Sequence, residues 1–217
     1  MSNINNSDDS ISKPSARTGL IDPKIMDGPT VLFTVHDALR NYPKLFITYH
    51  AINTPFCIFN TMGNVIGAGL YGLGLRTILV RLISPSLITS STSKLAVTTS
   101  TMGLAFGCLG MALGVGALSR VILKGENATP IPYNDEGVQQ RVNGLSHNFM
   151  VRIIDLSCWS GMGLSATALI VAGGPSKLKL CAGSLGVAQA LSLGSALGGI
   201  GAFGCLYSLR MKDNFYE

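Results

Sequence analysis

Residues 180–209 read LCAGSLGVAQALSLGSALGGIGAFGCLYSL, thirty positions without one charged side chain. A helix needs roughly 20 mostly apolar residues to cross a hydrocarbon core of about 30 Å, so this run is long enough to span once. Within it Gly186, Ala190, Gly194, Gly198 and Ala202 place a small residue at every fourth position. That spacing keeps them on one helix face, where the backbone of a second helix can approach closely.

The same reading applies three more times on moving outward from this stretch. Uncharged runs last 25 residues over 51–75, 25 over 95–119 and 21 over 156–176; with 180–209 they cover 101 of the 217 residues. The expected fold is therefore an all-α membrane protein, a bundle of four transmembrane helices with Gly/Ala-rich interfaces. Charged residues make up 12% of the chain, against about 25% in ordinary soluble domains, which argues against a soluble enzyme domain and a disordered chain. A membrane barrel would need ~10-residue segments of alternating polarity, and continuous uncharged runs are the opposite pattern.

Glycine costs about 1 kcal/mol relative to Ala inside a helix in water, so 26 of them in this chain call for a reason. In lipid the reason is close helix packing. The second run has Gly103, Gly107, Gly110 and Gly114 on one face, the third has Gly161 with Ser165, Ala168 and Ala172, and the first has Gly63 and Gly67 with Gly74. Gly63, Gly67, Gly103, Gly107, Gly110, Gly114 and Gly161, with Gly186, Gly194 and Gly198, are the expected helix-packing positions. No GxxxxGK[ST] pattern suggests that any of them cradles phosphate.

The domain organisation expected from these runs has four parts. Residues 1–28, rich in Ser, Asn, Asp and Pro, form a mobile tail that cannot bury enough surface to offset its ordering entropy. Residues 29–54 form an amphipathic or interfacial segment on Val31, Leu32, Val35, Leu39 and Tyr42. Residues 55–209 hold the spans, at about 56–82, 95–123, 151–172 and 178–209, and 210–217 are a C-terminal tail. The stretch 124–150, with Pro130, Pro132 and three glycines, reads as the longest loop. The first 50 residues lack an apolar h-region and carry five acids, so any targeting signal is expected to be internal.

The two short loops carry Arg76, Arg81, Lys94, Lys177 and Lys179 and no acid, while all 11 Asp and Glu residues fall on the other side. By charge density the short loops are expected to face the cytoplasm-equivalent compartment. The net charge of +5 is scattered rather than gathered into a groove, so no nucleic-acid partner is expected.

No catalytic, cofactor or metal-binding residues are expected. His36, His50 and His147 stand apart, no HExxH or GxSxG motif is present, and five cysteines have no CxxC spacing. Cys57, Cys158 and Cys205 fall near one membrane face, which allows a disulfide between two of them if that face is oxidising. Asp155 lies three residues from Arg152, the spacing of a local ion pair.

Three segments together resemble a known family. They are His36-Asp-Ala-Leu-Arg40 ahead of the first run, the Gly/Ala pattern from Gly63 running into Arg76 and Arg81, and Cys158-Trp-Ser-Gly-Met-Gly-Leu-Ser-Ala166 followed by a basic turn and another Gly/Ala helix. Their order, over about residues 37–209, resembles the family of mitochondrial inner-membrane translocase channel subunits, which includes a four-helix accessory subunit of respiratory complex I (NADH:ubiquinone oxidoreductase). Translocase channel subunits tend to carry polar or acidic residues along a cavity, and no Asp or Glu interrupts the first, second or fourth run here. The resemblance therefore implies a non-catalytic complex I subunit that stabilises the membrane arm by helix packing. Its partners would be other membrane-arm subunits and membrane lipids, with termini in the intermembrane space and short loops in the matrix. The alternative it implies is a protein-translocase channel subunit or a small-solute pore.

Overall fold

The computed structural model describes residues 38–39, 41–74 and 93–214. The expected N-terminal tail, most of the interfacial segment, and the end of the first run with Arg76 and Arg81 lie outside the described residues. Five α-helices make up the described fold: α1 Pro43–Gly72, α2 Lys94–Lys124, α3 Asp135–Ser146, α4 Phe149–Ala172 and α5 Gly183–Asn214. Two 3-10 turns, Gly125–Asn127 and Pro175–Leu178, follow α2 and α4.

Local chemistry sets the helix ends. Pro43 sits in the first turn of α1, where its missing N–H costs nothing and its fixed φ suits the helix. Ser93, Asn134 and Asn148 cap α2, α3 and α4, each accepting a backbone N–H from the residue three positions on. Helix α4 stops at Gly173 in the left-handed region, φ +78°, a conformation glycine adopts without a Cβ penalty.

The expected class of four spanning helices is corrected by this structure. Among the described residues three helices are long and apolar enough to cross a bilayer: Lys94–Asn127, Met150–Ala172 and Gly183–Ser208. The chain thus has helical, multi-pass membrane character, but α1 is not among these spans although it has 30 residues. The reason is that uncharged is not the same as apolar. Between Pro43 and Gly72 the helix carries His50, Asn53, Thr54, Asn60, Thr61 and Asn64, and amides and hydroxyls are expensive to transfer from water unless they are paired. The stretch 124–150 is also not all loop, since α3 occupies its centre, capped by Asn134 and burying Val138 and Val142.

The four long helices form two antiparallel pairs. Helix α1 packs most extensively along α2, and α4 along α5; α5 then touches both α1 and α2. One end of the bundle gathers the start of α1, the end of α2, the start of α4 and helix α3. There Phe46 and Ile47 pack on Val138 and Val142, with Leu118 alongside. At the other end the α4–α5 turn closes over the first turn of α2, where Val97 meets Cys181 and Ala96 packs on Leu180.

Replacing Gly107 or Gly194 with Leu is expected to lower the stability of the full chain in micelles by at least the 1–3 kcal/mol typical of overpacking, about, because each would drive a side chain into the facing helix. Leu164→Ala, at a position 74% exposed, is expected to change it little. Equal thermal-unfolding shifts for inward and outward changes would contradict this packing.

Candidate functional site

Two glycine seams join the helices of each pair. A Cβ on Gly63 would lie 2.6 Å from the Met102 carbonyl oxygen, and one on Gly67 would lie 2.9 Å from Thr99 Cα. From the other side, a Cβ on Gly107 would lie 2.6 Å from Phe56 Cε2, one on Gly110 would lie 2.6 Å from the Pro55 carbonyl oxygen, and one on Gly114 would strike the Ala51 carbonyl. Pro55, inside α1, has no N–H to offer Ala51 four residues back. The carbonyl so released lies against Gly114 of α2.

The second seam has the same character. A Cβ on Gly161 would meet the Gly194 carbonyl, one on Gly194 the Ser165 hydroxyl and the Gly161 carbonyl, and one on Gly198 the Ser157 carbonyl. Gly186 instead packs on the α4–α5 turn, with Cys181 O and Pro175 Cβ in the way of a side chain. Gly103 is shared, since its missing Cβ leaves room for both the Asn64 amide and Ser192 Oγ. Helix glycines Gly69, Gly72, Gly116, Gly163, Gly201 and Gly204 have open space in front of them.

Between the seams runs a column of buried polar side chains. At its upper level Asp155 of α4, 2% exposed, accepts hydrogen bonds at Oδ1 from Tyr49 Oη at 2.5 Å and from the Asn53 amide of α1. Trp159 Nε1 donates to Tyr49 Oη at 2.6 Å. Burial, then the hydrogen bond and charge of Asp155, push the Tyr49 phenol well above its usual range, so this group, outside the three spanning helices, stays a donor. One helical turn further the buried thiols of Cys57 and Cys158 lie side by side with Ser195 next to both.

The middle of the column is a bonded cluster. Asn60 Nδ2 donates to the Ser192 carbonyl at 3.0 Å, and Ser192 Oγ returns a bond to Asn60 Oδ1 at 2.6 Å. Asn64 Nδ2 reaches Ser192 Oγ at 3.2 Å and the Asn60 carbonyl at 2.9 Å. Toward the opposite end Gln189, fully buried, donates to Thr101 Oγ1 and accepts the Cys181 N–H, both at 3.1 Å. Helix α1 thus meets α5 chiefly through amides and hydroxyls, whereas α1 meets α2 through backbone.

Of the three cysteines considered for a disulfide, Cys57 and Cys158 come together as free thiols and Cys205 is exposed on α5. Among the described residues no group of three or more His, Cys, Asp and Glu is placed to hold a metal. The column residues Asn53, Asn60, Asn64, Gln189, Ser192 and Ser195 were not singled out by the sequence. Their signal was there in the spacing of Asn53, Asn60 and Asn64, which share one face of α1 with Cys57 and Thr61.

Comparison with protein-family models, curated proteins and solved structures finds no match to this chain. Function is therefore read from the bundle itself and from the resemblance carried by its sequence.

Two measurements check the column. Asn60→Ala is expected to cost about 1–2 kcal/mol, because it removes both bonds exchanged with Ser192 and leaves that hydroxyl only its longer contacts to Asn64 and the Ser100 carbonyl. Adding Ser192→Ala should cost less than the sum of the single changes, as expected for directly bonded partners; strict additivity would mean the pair does not interact. In an ultraviolet titration of the folded chain, Tyr49→Phe should leave unchanged the number of tyrosines that ionise as pH rises through the ordinary phenol range.

Proposed function

We propose that this chain is a non-catalytic scaffold subunit of a large membrane complex, and specifically an accessory subunit of the membrane arm of mitochondrial complex I. The observation that carries the reading is how the bundle uses its side chains. Most of the buried polar groups of α1, α4 and α5 bond to one another, and the glycines bring backbones together, so the interior is committed to holding helices. What faces outward is largely apolar: Leu109, Leu113 and Val115 on α2, Leu164, Ile170 and Val171 on α4, and Leu197 and Ile200 on α5. Such surfaces suit lipid and neighbouring membrane helices. The resemblance of the 36–40, 63–81 and 158–166 segments supplies the particular complex.

In this reading the bundle end with Lys94, Lys177 and Lys179 faces the matrix. The end where α1 begins and α5 finishes faces the intermembrane space. More Lys and Arg lie at the second end by number, among them Lys44, Lys124 and Arg141, so the orientation rests on the density of basic residues in the short, acid-free connections, with Glu126, Asp135, Glu136 and Asp155 toward the second end.

One observation favours the other class, a translocase channel subunit or small-solute pore. The polar column runs from Asp155 to Gln189; within it Asn64 Oδ1 and Ser195 Oγ, and on α2 Thr98 Oγ1, have no hydrogen-bond partner among the described residues. Against it, the amides of Asn53, Asn60 and Gln189 and the Ser192 hydroxyl are all engaged in hydrogen bonds, which fills the path rather than lining it.

Blue-native separation of solubilised inner membranes decides between the two. Comigration of the full chain with NADH dehydrogenase activity is the expected result, with loss of that assembly when the chain is depleted. Migration with presequence or carrier translocase components would overturn the proposal.

A further inference from the structure

The two short connections of the bundle are brought to one place by a backbone hydrogen bond, from the Ser93 N–H to the Lys179 carbonyl at 2.7 Å. Below this bond the contact is apolar: Ala96 and Leu178 pack on the cluster that holds Leu180, and Cys181 packs with Val97. The first turn of α2 and the whole α4–α5 turn therefore form one surface. Lys94, Lys177 and Lys179 all sit on it with exposed side chains, and the left-handed backbone of Lys179, φ 59°, helps turn the chain back toward α5.

Among the described residues nothing of opposite sign offsets them. The first turns of α2 and α5, which begin here, contain no acid, and the acids among the described residues lie on elements of the other end. The starts of these two helices add the positive ends of their dipoles. Exposed apolar side chains flank the same end: Leu95 at 44%, Ile170 at 81% and Val171 at 82%. A cationic cap above an apolar flank on membrane-crossing helices matches an amphiphile that carries its negative charge at the head.

We propose that Lys94, Lys177 and Lys179 form a headgroup site for an anionic phospholipid, whose phosphate is held by the three ammonium groups and whose acyl chains lie along the apolar flank of α2 and α4. A free phosphate ion would use the same cations but gain nothing from Leu95, Ile170 and Val171. Basic clusters at the ends of membrane helices attract anionic lipid by about 1 kcal/mol per Lys or Arg near the surface, which is roughly fivefold in affinity for each.

The test is native mass spectrometry of the full chain in micelles titrated with phosphatidylglycerol or with phosphatidylcholine. The first phosphatidylglycerol should bind more tightly than phosphatidylcholine. The variant Lys94→Gln/Lys177→Gln/Lys179→Asn should weaken it by roughly a hundredfold on that fivefold scale, with Asn chosen because it tolerates the left-handed position. Lys44→Gln/Lys124→Gln, at the opposite end, should leave the preference intact. Retained preference in the triple variant, equal loss in the opposite-end variant, or displacement of phosphatidylglycerol by inorganic phosphate at matched ionic strength would each overturn the proposal.

Discussion

The close approach of α1 and α2 backbones is the constraint on which the rest of the bundle depends. At Gly63, Gly110 and Gly114 the atom nearest to the absent side chain is a carbonyl oxygen of the facing helix, a geometry in which Cα–H groups contact carbonyls directly. Lipid tails are as apolar as a leucine side chain, so apolar burial supplies little net attraction between helices in a membrane. Dispersion across a flat seam and these weak polar contacts must supply it. Side chains larger than hydrogen at those positions would remove both.

The polar column follows from the seams rather than competing with them. Gly103 leaves the space into which the Asn64 amide and Ser192 hydroxyl project, and Gly199 leaves room for Thr61. Small residues on α2 and α5 thus let short polar side chains of α1 reach α5 directly. Each bond made in this dry setting avoids the larger cost of a stranded donor or acceptor. The Asn60–Ser192 exchange also fixes register, because a shift of one residue along α1 would turn both amides off the facing serine.

How much of this was legible in the sequence varies by residue type. The steps through Gly103, Gly107, Gly110 and Gly114, and through Gly186, Gly194 and Gly198, mark helix faces, because glycine in a helix is costly enough to need a packing reason. A run without charges is not a run without polarity: Asn53, Asn60 and Asn64 leave the uncharged count across α1 unbroken, so that count overstates α1 as a span. The partners of these amides, Ser192 on α5 and Asp155 on α4, are 132 and 102 positions away in the bonds they make with Asn60 and Asn53, and no local pattern encodes such pairs. Pro130, Pro132 and scattered glycines give the surroundings of α3 the pattern of a loop, although Asn134 followed by Asp135 and Glu136 is a helix-start signal.

The polarity of α1 also orders the energetics of the bundle. Helices α2, α4 and α5 satisfy the length and composition needed to cross hydrocarbon by themselves, whereas α1 buries its amide face against α5 and Asp155. Removed from those partners, Asn53, Asn60 and Asn64 would either remain hydrated or face lipid unpaired, and the second state costs several kcal/mol per group, roughly. Helix α1 therefore depends on the other three for its place in the bundle, while they meet it through the α2 seam, the Asp155 and Trp159 bonds of α4, and the contacts of Asn60, Thr61 and Asn64 with α5. This asymmetry makes the α1–α5 polar contact, more than any single glycine, the point at which the bundle is one unit rather than two adjacent hairpins.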